Sequence, residues 1–299
     1  MELRVLRYFL AVANEGSISR AAAGLHVTQP TLSRQLMDLE AELGTTLFHR
    51  SSRVTTLTES GVYFRRRAEE IVALADTARA EFRGQDGMVH GNVFIGGGES
   101  PAFAALAAAA QRIRAAHPGV RFHLYSGNGN DVEERMERGV LDFGLFIDPV
   151  DLGRYMSLTL RHRDEWGVLM RADSPLAAQP GITPEQLRGL PLLLSSQSKV
   201  DSMLSAWLGE DISRRNIVAR GNLLYNLSLM VQQGMGYAVT LQGIVNTTGD
   251  SPLVFRPLSP PLHAAVHLAW MKSRPLSRPA RLWLRELQRA EADPGAEGA

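Results

Sequence analysis

The sequence predicts a multidomain α/β protein: an N-terminal winged helix-turn-helix, a long linker helix, and a C-terminal α/β domain made of two units. Three observations lead there. Residues 16–53, GSISRAAAGLHVTQPTLSRQLMDLEAELGTTLFHRSSR, read as two short helices around a tight turn, followed by a small basic hairpin. Residues 58–82 hold a long helical pattern without proline. Beyond Gly91, strand and helix patterns alternate, which implies a parallel sheet with crossover helices.

Leu3, Leu6, Leu10 and Ala13, with Phe9 beside them, form the apolar face of an opening helix that Gly16 ends. Ser17 caps a short second helix, Ile18 to Leu25, whose alanines permit close packing. His26 and Val27 make the turn. Thr28 caps a third helix with Pro30 in its first turn, where a missing N–H costs little. Leu32, Leu36, Leu39 and Leu43 form its buried stripe, and Gly44 stops it. Gln29, Thr31, Ser33 and Arg34 crowd the polar N-terminal side, the end that meets base edges and phosphates in such motifs. Two brief strands follow around Arg50 and Arg53, placed as a wing on the sugar-phosphate backbone.

On the long helix Phe64, Ala68, Ile71, Ala75, Ala78 and Phe82 recur at heptad spacing. This seam is read as a dimerisation surface, with packing on its own domain as the alternative. Residues 83–87 read as a hinge.

The formal net charge is only +1, so any basic footprint must be local. Within residues 1–60, Arg4, Arg7, Arg20, Arg34, Arg50 and Arg53 balance Glu2, Glu15, Asp38, Glu40, Glu42 and Glu59. The absence of Cys excludes disulfides, thiolate metal sites and cysteine nucleophiles. The opening residues lack the pattern of a secretory signal, and no apolar run approaches the ~18 residues of a membrane span. A cytoplasmic protein is expected.

In the C-terminal half, strands are predicted at 92–95, 120–124 and 141–147, with helices from about 101 to 117 and 131 to 138. A second unit begins around Arg161 to Trp166. Its strands fall near 167–170, 192–194, 217–219 and 237–240, and its helices near 183–187, 200–208 and 224–233. A strand at 265–270 and a helix at 278–289 close the chain.

The segment MELRVLRYFLAVANEGSISRAAAGLHVTQPTLSRQLMDLEAELGTTLFHR, continuing to LTESG, resembles the LysR-type transcriptional regulators. The resemblance is specific over the first sixty-odd residues and architectural beyond them. It implies a DNA-binding domain over 1–58, a linker helix and hinge over 59–87, and over 88–299 a two-lobed effector domain like a type 2 periplasmic binding protein. Lobe I would hold 88–161 and 268–291, lobe II 162–267, and the tail 292–299. Carried over by position, Thr28, Gln29, Pro30, Thr31, Ser33 and Arg34 correspond to the recognition surface, and Arg50 and Arg53 to the wing; the capping Ser17 is counted with them. The implied partners are double-stranded DNA bearing an interrupted palindrome, a small effector, a second chain in a homodimer assembling to a homotetramer, and RNA polymerase. No cofactor or metal is implied.

In that layout the effector sits where strand ends and helix starts converge. The expected set is Ser100, Pro101, Ser126, Asn128 and Phe146 from one lobe, and Ser195, Ser196, Asn222, Tyr225 and Thr240 from the other. Hydroxyls at helix starts suit a carboxylate. Glu99 would oppose one, and no Arg or Lys falls in the set, so the effector's charge stays open. Two rival classes fit less well. A hydrolase would need a G-x-S-x-G elbow, which is absent. A cytoplasmic solute-binding protein would leave the helix-turn-helix unexplained.

Overall fold

The computed structural model describes residues 1–50, 55–82 and 88–293, and groups the chain into two compact units, Met1–Arg83 and Gly84–Ala299. In the first unit, α1 (Leu3–Glu15) ends at Gly16, whose φ of 61° is left-handed backbone that glycine adopts without strain. α2 (Ile18–Gly24) is capped by Ser17, and α3 (Gln29–Leu43) by Thr28. Val5, Leu6, Phe9 and Val12 of α1 pack with Leu32, Leu36 and Leu39 of α3. Each such buried side chain contributes about 1.5–3 kcal/mol relative to exposure. The buried face of α1 is thus rotated from the expected stripe, since Leu10 is only partly covered, and Leu43 at the end of α3 is exposed.

The Glu40 carboxylate accepts the backbone N–H groups of Leu47 at 2.7 Å and Phe48 at 3.1 Å, tying α3 to the hairpin of β1 (Phe48–Arg50) and β2 (Thr55–Leu57). α4 (Glu59–Phe82) then lies along α1, held by an Arg7–Asp76 ion pair and by Arg65 donating to the Asn14 side chain at 2.9 Å.

This corrects the expected seam. Ala68 is fully buried in the first unit's own core, and Phe64 packs there against Phe9. Ala68 spends its apolar surface within the domain, and Phe64 spends part of it there. Ile71 and Leu74 remain exposed further along, Ala75 is half-buried, and the Ala78 and Phe82 side chains lie outside those described.

In the second unit, β3 (Gly91–Gly97) leads through α5 (Phe103–Ala116) to β4 (Val120–Ser126), then through α6 (Gly129–Glu137) to β5 (Phe143–Ile147). These strands run parallel in the order β4-β3-β5. β6 (Tyr155–Arg171) is a 17-residue strand. The second lobe adds β7 (Leu192–Ser195), α7 (Ser198–Leu208), β8 (Ile217–Gly221), α8 (Leu224–Gln232), β9 (Tyr237–Leu241) and β10 (Leu253–Pro257). β11 (His263–Met271) returns to pair with β5, and α9 (Arg278–Ala292) packs on the first lobe, with Trp283 fully buried.

β6 joins the lobes. Its first part pairs with β11 and its end with β9 and β10. The stretch Arg161 to Trp166, where a second unit is expected to begin, lies within β6, at the point where the strand passes from one core to the other. β10 was not foreseen. Residues 183–187, expected as a helix, form turns.

Candidate nucleic-acid interface and ligand cleft

α3, the helix expected to read DNA, is set by its cap and turn. His26 adopts a left-handed φ of 55°, reversing the chain. Thr28 Oγ1 lies 2.7 Å from Thr31 Oγ1 and accepts the Thr31 N–H. Gln29, Pro30, Thr31 and Arg34 are exposed and Ser33 is half-buried, opposite the buried leucines. Most neighbouring bases are paired within the unit: Arg4 with Glu2, Arg7 with Asp76 and Arg20 with Glu15. Arg34 is exposed and has no acidic partner among the described residues. Ser17 Oγ accepts the Arg20 N–H at 3.4 Å and so caps α2. Arg50 lies on β1, with its side chain outside those described, and Arg53 falls outside the described residues.

Between the lobes lies a cleft of about 990 Å³, open solvent at its mouth included. Of the expected set, Phe146, Ser195, Asn222 and Thr240 line it. The other residues are placed elsewhere, each for a visible reason. Ser100 accepts the Ala102 N–H at 3.0 Å and hydrogen-bonds the buried Asp164. Pro101 packs on the other lobe, where a Cβ added at Gly243 would meet its ring at 2.9 Å. Asn128 caps α6 by accepting the Asp131 N–H at 3.0 Å. Ser126 and Ser196 are exposed, and Tyr225 is 62% exposed outside the cleft.

Residues outside that set also line it, among them Glu99, Glu133, Asp148, Trp166, Gln197 and Lys199. Asp148 follows Ile147 at the carboxyl end of β5, so the strand-end rule could have found it one residue further on. Glu133 sits one turn into α6. Lys199 was missed because the helix expected from residue 200 begins at Ser198. Trp166 reaches the cleft only because β6 passes between the lobes, which no local pattern signalled.

The polar contacts are specific. Glu99, from the first lobe, accepts the Leu224 N–H at 2.7 Å, supplying α8 of the second lobe with the cap that Leu223 lacks. His267 bridges Asp148 Oδ1 at 3.2 Å and Thr159 Oγ1 at 3.0 Å. Asp164, 1% exposed, lies 3.1 Å from His162 Nε2. Burial pushes its carboxyl above the usual aspartate range, and Ser100 and His162 temper the rise. Its Oδ2 has no partner within hydrogen-bond geometry among the described residues. Burial likewise raises the Tyr155 phenol, with Glu133 adding to the effect.

Comparisons with known proteins agree with both halves. Residues 3–62 match the family model for the bacterial regulatory helix-turn-helix protein, lysR family, and residues 86–292 match the LysR substrate binding domain. The Hca operon transcriptional activator HcaR of Escherichia coli K12 is 33% identical over 278 residues, covering 91% of this chain and 92% of its own. A full-length point variant of OxyR from Pseudomonas aeruginosa superposes with a TM-score of 0.58 at 25% identity, covering 96% of this chain and 95% of its own. CbnR, a LysR family transcriptional regulator, superposes with a TM-score of 0.69 at 20% identity, covering 98% and 100%. No described helix is long and apolar enough to cross a membrane.

Proposed function

The chain belongs to the LysR family of DNA-binding transcriptional regulators, and from that premise we propose that a small effector in the interlobe cleft sets how it holds an interrupted palindromic promoter site. The observation that carries this reading is one chain joining a capped, exposed reading helix to a cleft whose walls belong to two lobes linked by β6 and β11. On the DNA side, Gln29, Thr31, Ser33 and Arg34 read or position the major groove, and Arg50 and Arg53 grip the backbone. The later part of α4, with Ile71, Leu74 and Ala75, supplies the surface for a second chain. Dimers pairing into a tetramer would place reading helices at fixed separations, in the cytoplasm, where RNA polymerase is met.

Effector binding can shift the lobes only by favouring one arrangement over another. In a tetramer a changed lobe angle alters the spacing of the two DNA-reading dimers and hence the bend they impose. Footprinting of the full-length protein on the intergenic DNA beside its own gene, with and without metabolite pools, tests this. A protected region of two separated half-sites whose extent changes with a metabolite is expected. Protection that is independent of sequence would reject the reading.

A further inference from the structure

We infer that the cleft takes an organic ammonium compound with an apolar body and a neutral hydrogen-bond acceptor. The inference rests on reading the cleft as the effector site. Three half-buried carboxylates line it, Glu99, Glu133 and Asp148, against one exposed cation, Lys199. The N-terminus of α8, a natural seat for a ligand's anionic group, is already filled by Glu99 from the opposite lobe. With Glu99 set aside as that internal anion, Glu133 and Asp148, the latter met by His267 Nε2 at 3.2 Å, still outnumber Lys199. An entering carboxylate would meet two half-buried carboxylates, whereas an ammonium would be paired with them.

The walls add a second, independent requirement. Trp166 lines the cleft, is 4% exposed, and carries an indole N–H with no partner among the described residues. Indole nitrogen only donates, so an acceptor carried by the ligand would pair it. A buried donor left unpaired is costly, and satisfying it supplies specificity. Phe146 and the ring of Trp166 offer apolar and π surface to the ligand's body.

Calorimetry on the full-length protein tests this with three size-matched probes: 2-phenoxyethylammonium, phenoxyacetate and 2-phenoxyethanol. The ammonium is expected to bind at least tenfold more tightly than the other two. Glu133→Gln combined with Asp148→Asn, with a native circular dichroism spectrum, should remove that preference. Lys199→Gln, a change at an exposed side chain, should widen it. Trp166→Phe should weaken the ammonium and the alcohol alike while keeping the charge preference. Equal or tighter binding of phenoxyacetate, no heat from the ammonium, or a preference unchanged in the double variant would overturn the inference. Footprinting with the bound probe separates this from the effector reading: a probe that binds by charge yet leaves DNA protection unchanged counts against the regulatory role alone.

Discussion

The ring of Phe64 meets that of Phe9 edge-on, with centroids 5.0 Å apart and planes at 75°. This contact makes the start of α4 part of the DNA-binding domain's core. Phe64→Ala should cost about 2–4 kcal/mol, the lower side of the range for buried phenylalanine because the ring keeps some exposure. Helix melting by circular dichroism would check it; a stable fold that merely dissociates would show the ring to be an intersubunit contact instead.

Ile71 and Leu74 answer to different physics. They are 38% and 47% exposed on the same helix. Leu74→Asp should leave the melting of a single chain within about 0.5 kcal/mol, as for surface changes generally, while separating subunits. Light scattering would detect the halved mass, and an unaltered mass would exclude this stretch from the interface.

Arg34 and Arg53 should fail differently. Arg34→Ala is expected to remove about 1–3 kcal/mol of discrimination between operator and random DNA if the guanidinium reads a base edge. Arg53→Ala should weaken binding to all sequences and flatten the salt dependence by about one counterion. Titrations at several salt concentrations on both DNAs separate the two roles. Equal losses on operator and random DNA for Arg34→Ala would make it a phosphate contact.

Much of the DNA-reading half was legible because its signals are local: Ser17 and Thr28 as caps, Gly16 and Gly44 as stops, leucines at helical spacing. The fate of the α4 seam was not, because heptad spacing does not say which neighbour covers Ala68. In the cleft, strand ends located Phe146, Ser195, Asn222 and Thr240, yet polar groups such as those of Ser100 and Asn128 proved to be used by nearby backbone. Local capping competes with ligand contact, and a sequence shows both as the same residue. Trp166 needed the fold itself, since it reaches the cleft along β6, and the strand-end rule that reaches Glu99 does not show that it caps a helix of the opposite lobe.

Gly61 illustrates two opposed effects. Within a helix, Gly→Ala ordinarily gains about 1 kcal/mol. Here an added Cβ would lie 2.1 Å from the Leu47 carbonyl oxygen, a backbone atom fixed by the turn into β1. The overlap must move the hairpin or α4, so the clash outweighs the propensity gain. Gly61→Ala should lower stability by more than about 1 kcal/mol, on the scale of overpacked sites, and should reduce DNA affinity through the displaced wing. A stabilised variant with unchanged affinity would show the junction to be pliable.

Asp164 supplies the pH test. Its folded-state carboxyl is held above the usual aspartate range, chiefly by burial, so the folded chain retains a proton that the unfolded chain releases. Its contribution is therefore fully present below the unfolded pKa and is lost as pH rises through the folded value. Asp164→Asn keeps the shape without the titration. The variant should accordingly gain on the native protein as pH rises across that window and level off above it. All four tryptophans, Trp166, Trp207, Trp270 and Trp283, lie in the second unit, so urea unfolding followed by their fluorescence reports on the cleft domain. Parallel stability curves for the two proteins from acidic to neutral pH would mean that Asp164 does not titrate above its ordinary range. A variant that loses stability equally at every pH would place the importance of Asp164 in its contact with His162 and not in its buried charge.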